Sequence, residues 1–286
     1  LNISSKQPDT HYSEIYHEFY DGFRSITNTG KQYAKQQNIA IVGLARNIEK
    51  YLIKNLAEID DLSGLFKSCK YFIYENDSID NTKNILQTWS FTGSNKTIDS
   101  EQLNAEYLPN STSNKRTNTL AYGRNKCLNF VKKHQDIDYV IVIDLDFSSI
   151  FRDGLLNSFG WLSLVNYASA IAGFSFILKK EIVEDIEYTL IDNYDSWAYR
   201  HNWWSDTFSV DSYNNMSWFN QWIPIVGSPI FAVNSAFGGC CIYRRDFYIQ
   251  GLYEGYDCEH VTFHKNILSN NKNFKLFVNP SQIMYL

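Results

Sequence analysis

"DYVIVIDLDF", residues 138–147, is the stretch on which the fold of this chain turns. Apolar residues run from Val140 to Ile143 and on to Leu145, as in a strand buried on both faces of a parallel sheet. Asp144 and Asp146 interrupt its end. One residue apart on an extended chain, they point the same way. Their charges repel unless a cation lies between them or one carboxylate takes up a proton.

Upstream, the same pattern recurs twice. "NIAIVGLARN" (38–47) is a buried strand ending in a polar turn, and "IEKYLIKNLAEIDDLSGLF" (48–66) carries apolar residues at helical spacing. "CKYFIYENDSIDNT" (69–82) predicts a strand, a carboxylate-rich turn and a helix starting near Asp80. Residues 93–118 hold few apolar side chains and read as a long surface loop. "LAYGRNKCLNFVKKH" (120–134) then returns to helical spacing and delivers the chain to the aspartate strand. Strands alternating with helices predict an α/β fold with a mostly parallel central sheet flanked by helices, Rossmann-like in its first half. In such sheets ligands sit beyond the carboxyl ends of the strands. Polar clusters stand at those ends: Arg46 and Asn47; Glu75, Asn76 and Asp77; Asp144 and Asp146. Residues 1–37 read as an N-terminal helical extension, with a helix over His11 to Phe23, and 38–286 as a single domain.

Bulk properties narrow the partners. With 26 Lys and Arg against 31 Asp and Glu, the net charge is -5 and no basic block stands out. That disfavours a nucleic-acid polymer and leaves small anionic ligands open. Five cysteines without C-x-x-C spacing suggest reduced thiols, and hence a cytoplasmic setting. The chain begins at Leu1 and not at Met. A targeting signal or membrane anchor upstream would instead put it in the Golgi or secretory lumen. The uncharged stretch from Gly154 to Leu178 has the length of a membrane span, but its serines and glycines predict a buried helix followed by a buried strand.

"LARN" after the first strand, "ENDSIDNT" after the second, "GRNKCLNF" on the helix before the third, the D-x-D of "IDLDF", "FGGCCIYRR" and "CEHVTFH" occur in that order. Together, across residues 38–147 and 236–280, they resemble a nucleotide-sugar-dependent glycosyltransferase of the GT-A fold. The resemblance implies transfer of a sugar from a nucleoside diphosphate, most simply a UDP-sugar, to a hydroxyl of a glycan acceptor. It implies Mn2+ or Mg2+, since hard oxygen ligands suit these ions and leave positions open for phosphates. Asp146 would be the direct metal ligand, and Asp144 would contact the ribose or the metal through water. Arg46 and Arg124, each beside an asparagine (Asn47, Asn125), would lie near the diphosphate. Glu75, Asn76 and Asp77 align with the acidic turn that holds base and ribose. Gly238 and Gly239 would let backbone approach the donor sugar.

His260 and His264 are i,i+4 on a helical "CEHVTFHKNIL", so both can face one site, and one of them is the candidate to complete the metal shell. Glu259 is the candidate general base, with Asp257 and Asp206 as alternatives. Trp197, Trp203, Trp204, Trp218 and Trp222 could include a platform for the acceptor sugar. Two other functions stay open. "DLDFS" is similar to the nucleophile loop of haloacid-dehalogenase-type phosphatases, although that loop normally opens its domain. A non-catalytic module that binds sugar nucleotides or glycans would carry many of the same residues.

Overall fold

A computed structural model describes residues 17–109, 111–183, 186–201 and 225–286. In chain order the elements that matter here are α1 (His17–Ala34), β1 (Asn38–Ala45), α2 (Glu49–Ser63), β2 (Ser68–Asn76), α3 (Thr82–Ser90), β3 (Lys96–Glu101), α4 (Asn114–Lys133), β4 (Tyr139–Asp144), β5 (Ser149–Ile150), α5 (Arg152–Leu164), β6 (Ala170–Val183), β7 (Ile186–Asn193), β8 (Phe231–Val233), β9 (Cys240–Arg244), α6 (Glu259–Asn270) and β10 (Leu276–Tyr285). The strands make one sheet in the order β3-β2-β1-β4-β9-β6-β10-β5, with β7 beside β6 and β8 beside β10. The expected α/β class is present, with β3, β2, β1 and β4 parallel. The C-terminal half is mixed: β9 runs antiparallel between β4 and β6, while β6 and β10 are parallel.

Alternation along the strands explains why the aspartates face where they do. On β4, Val140 and Val142 join one apolar cluster, whereas Tyr139, Ile141 and Ile143, followed by Leu145, join the other. β1 divides likewise, with Ala40 and Val42 against Ile39 and Ile41. Both faces are dry, so the strands read as continuous apolar runs. The first cluster contains α4 through Cys127, Leu128 and Val131, and α6 through Val261, Phe263 and Ile267. The period of two extends past the strand and turns Asp144 toward that same side. The backbone beyond it is anchored from the opposite side. Buried Asn55 of α2 donates its amide to the carbonyls of Leu145 (2.9 Å) and Phe147 (2.7 Å).

Two boundaries differ from the sequence reading. Of the helix expected over 11–23, residues 11–16 lie outside the described residues; the described helix, His17–Ala34, runs on past Phe23 and packs on α5, where Asn157 donates to the Phe23 carbonyl and the Thr27 hydroxyl at 3.2 Å each. The stretch 93–118 is not all loop: β3 pairs with β2 from Tyr71↔Lys96 to Asn76↔Glu101. β3 is an edge strand whose residues stay half exposed on both sides, so it lacks the apolar signature of a core strand. Gly154–Leu178 divides into α5 and the start of β6, as expected. No helix among the described residues is long and apolar enough to cross a membrane. All five cysteines are unpaired and buried.

If Asn55 is the anchor of the loop after β4, Asn55→Ala leaves two buried carbonyls without donors. Urea unfolding should then show a loss of about 2 kcal/mol. A variant as stable as wild type would mean that water or a shifted loop replaces the amide.

Candidate functional site

Register brings the polar strand ends together. Leu44 lies opposite Asp144 and Ala45 opposite Glu75, so the turns after β1, β2 and β4 share one edge of the sheet. β9 joins them from the other direction, with Cys240 opposite Ile143 and the Gly239 carbonyl accepting from the Asp144 amide at 2.8 Å.

Arg124 is the centre of the site. It comes from α4, is 3% exposed, and donates from Nη2 to Asp144 at 2.7 Å. Its Nε lies 3.9 Å from the Glu259 carboxylate, and its guanidinium sits over the Phe237 ring at 5.2 Å. Burial works against the charge, but Asp144 and Glu259 outweigh it and hold the guanidinium firmly protonated. Among the described residues, Nε and Nη1 have no hydrogen-bond partner. A buried cation with donors left over is a place for a ligand's oxygens.

Asp146 is exposed yet set in a recess. Loss of water and then the charge of Asp144 push its carboxyl up to about 6, against the pull of Arg124 and Arg116. Burial also raises the Glu259 carboxyl, while Arg124 restrains it. Both effects favour the arrival of positive charge. Among the described residues no three His, Cys, Asp or Glu side chains cluster closely enough to hold a metal. Asp144 and Asp146 are hard oxygen donors, the chemistry that suits Mg2+ or Mn2+ when other oxygens complete the shell.

The two histidines part company. His264 is fully buried, shares hydrogen bonds with Ser235 (Nδ1, 2.9 Å) and Tyr243 (Nε2, 2.8 Å), and is held neutral by burial, its pKa lowered to about 3. Its metal role is corrected on that ground, since no ring nitrogen is left over. His260 has both nitrogens unpartnered, stacks on Phe237 at 3.7 Å, and carries Nε2 3.5 Å from Glu259. Burial, then Arg124 and His264, keep it neutral.

Several other expected contacts are spent inside the protein. Asp257 receives the Arg200 guanidinium at 3.2 Å on both oxygens and the Cys258 amide at 2.7 Å, so it is bound up in an ion pair and a backbone turn. Asn125 exchanges two hydrogen bonds with the Tyr253 backbone, which makes it a clamp and not a donor contact. Arg46 turns to the carbonyls of Ala105 (2.5 Å) and Glu106 (3.4 Å) and lies over Tyr107. Asn47 and Asp77 are left-handed, with φ of 53° and 54°. Asn47 accepts from the Ile79 amide, and Glu75 from the Ser78 amide and the Ser100 hydroxyl. Asn76 donates to Asp77, which also gathers the amides of Leu103, Asn104 and Ala105. Burial would raise the Asp77 carboxyl, but these donors win and lower it. Gly238 and Gly239 have φ of 63° and 70°. A Cβ on Gly238 would strike the Gly173 carbonyl and one on Gly239 the Met284 sulfur, so chain packing accounts for both glycines without a donor sugar. Trp197 is half buried against the core. Asp206, Trp203, Trp204, Trp218 and Trp222 lie outside the described residues.

Two residues escaped the sequence reading. Asp195, just after β7, accepts from the Gly238 amide at 2.8 Å. Burial, then the charges of Asp144 and Glu259, push its carboxyl up to about 7. Arg116, on the first turn of α4, acts electrostatically on Asp146, Glu259 and Tyr194. Neither sits in a motif, and Arg116 stands in what read as loop.

No family model and no curated protein sequence matches this chain. Solved structures do. A mycobacterial protein superposes with a TM-score of 0.50 at 11% identity, covering 91% of this chain and 70% of its own. A mannosyltransferase from Pyrobaculum calidifontis, in complex with GDP-Man and Mn2+, gives 0.48 at 12% identity, covering 98% and 68%. GalNAc-T7 with UDP, GalNAc and Mn2+ gives 0.46 at 8% identity, covering 87% of this chain, which spans only 44% of that protein.

The raised Asp195 carboxyl has a sign that can be checked. An unfolded chain releases this proton near the ordinary value of 3.8, whereas the native state keeps it to about 7. The native state therefore loses relative stability as pH rises through that window. Asp195→Asn should melt above wild type at about pH 8 and coincide with it at about pH 4. Equal melting at both would mean that ionised Asp195 is tolerated without penalty.

Proposed function

We propose that this chain is a GT-A-type glycosyltransferase that transfers a sugar from a nucleoside diphosphate, read here as a UDP-sugar, to a hydroxyl of a glycan acceptor. The observation that carries the reading is buried Arg124, paired with Asp144 and near Glu259 at the carboxyl end of β4, with two N–H groups that make no hydrogen bond among the described residues. The likeness of fold supports it, as does the order of motifs.

Asp146, with Asp144 beside it, would hold Mn2+ or Mg2+, and His260 is the remaining candidate to join them. When bound, such a cation offsets the charge that grows on the diphosphate as its bond to the sugar breaks. Arg124 fixes Asp144 and offers its spare donors to the same leaving group. Glu259 is our candidate base: it would take the proton of the acceptor hydroxyl as that oxygen bonds to the sugar carbon and the nucleoside diphosphate departs. Burial gives Glu259 the raised pKa such a role uses.

A screen of UDP- and GDP-sugars with Mn2+ or Mg2+ tests this. At least one donor should release its nucleoside diphosphate, and chelator should stop the release. Asp146→Asn should lower turnover at least about a hundredfold, with a melting temperature equal to or above wild type because repulsion from Asp144 is gone. Turnover by the variant at the wild-type rate would refute the metal assignment, and silence of every donor would refute the transferase.

A further inference from the structure

We propose that Arg200, acting through Asp257, is a positioning residue that sets Glu259 against Arg124, a role that rests on the transferase reading above. Neither member of this ion pair has a part in that mechanism, yet Arg200 is 4% exposed and the Asp257 side chain 7%. Burying two charges gains little stability even when they are paired. What the pair does supply is fixed geometry. The Arg200 backbone donates to the Ser235 carbonyl at 2.8 Å and accepts from the Ser235 amide at 3.1 Å. Its Nη1 closes the turn behind it on the carbonyls of Trp197 (2.7 Å) and Tyr199 (2.9 Å). Its Nη2 reaches both oxygens of Asp257, two residues before Glu259. Ser235 in turn lies two residues before Phe237, the ring against Arg124. One side chain thus joins the segment after β7, the approach to β9 and the head of α6.

The head of α6 needs that support. Its N-cap, Cys258, makes no side-chain cap bond. Glu259 lies 3.9 Å from Arg124, beyond hydrogen-bond reach, so their attraction does not by itself fix the carboxylate. Its place comes from the backbone beneath it. That backbone is held at Tyr253 by Asn125 and at Gly255 by the Thr117 hydroxyl (2.5 Å), both from α4. Arg200 supplies a third tie from a separate part of the chain. Asp257 passes it on, because the oxygen that receives Arg200 also accepts the Cys258 amide at 2.7 Å. Held by α4 and by Arg200 together, the first turn of α6 keeps one position, and Glu259 with it.

Release of UDP or GDP from the sugar nucleotide that wild type turns over with Mn2+ tests the assignment, in Asp257→Asn, in Glu259→Gln and in their combination. Asp257→Asn keeps the shape, and an oxygen for the Cys258 amide, while removing the charge that holds Arg200. Its kcat should fall about tenfold with KM for the donor within about twofold. Glu259→Gln should fall at least as far and the double variant no further, since Asp257 acts only through Glu259. Arg200→Gln should repeat the pattern, each variant being assayed at a temperature where its near-UV circular dichroism matches wild type. Losses that multiply in the double variant would overturn the positioning role, as would wild-type kcat in Asp257→Asn, and either result would leave the transferase standing. A wild type that releases nothing from any UDP- or GDP-sugar would overturn the transferase reading, and this inference with it.

Discussion

One ion pair organises the functional end of this molecule. Arg124 and Asp144 meet at 2.7 Å with the guanidinium almost wholly removed from water. Such a pair stabilises little on its own account, because dehydrating the charges costs about as much as their attraction returns. Removing either partner, however, strands the other as a buried charge. The pair thus fixes geometry more than it adds stability. It locks α4 to the end of β4, and through Glu259 it draws in the head of α6. Phe237 lies against the same guanidinium and stacks on His260, which meets Tyr253 edge-on.

The outer turns follow a different logic. At Asn47 and Asp77 the chain reverses in the left-handed region, and the side chains bind neighbouring backbone amides. These turns brace each other, so their polar residues shape the rim instead of reaching into it. Among the described residues the site is consequently a stiff frame around few uncommitted groups: the spare N–H groups of Arg124, the ring nitrogens of His260 and the Asp146 carboxylate.

Much of this was legible in the sequence, for physical reasons. β1, β2 and β4 are buried on both faces and announce themselves as apolar runs; α2 and α4 repeat apolar residues at helical spacing. The paired aspartates stood out because carboxylates rarely end such runs. β3 was missed because an edge strand with half-exposed residues obeys no apolar alternation. His264 reads as a metal ligand, Asn125 as a donor contact and Asp257 as an alternative base because residue type and position suit those roles. Only packing reveals that Tyr243, the Tyr253 backbone and Arg200 already occupy them. Asp195 and Arg116 were invisible for the converse reason, since nothing local to either residue foretells that distant segments converge there.

Strand β9 has a bearing on how the chain reaches this state. Among the described strands it is the one that joins the parallel half, through β4, to the half built on β6. β4 precedes it by almost a hundred residues of chain, so during synthesis the N-terminal strands emerge with one edge of β4 unpaired. That edge is apolar on both faces, the kind of surface on which nascent chains stick to each other. Closure of the sheet waits for the arrival of Cys240–Arg244, a pairing remote in sequence and therefore slow. The binding edge cannot exist before that moment either, because the amide of Asp144 finds its acceptor only in Gly239, at the entrance to the same late strand.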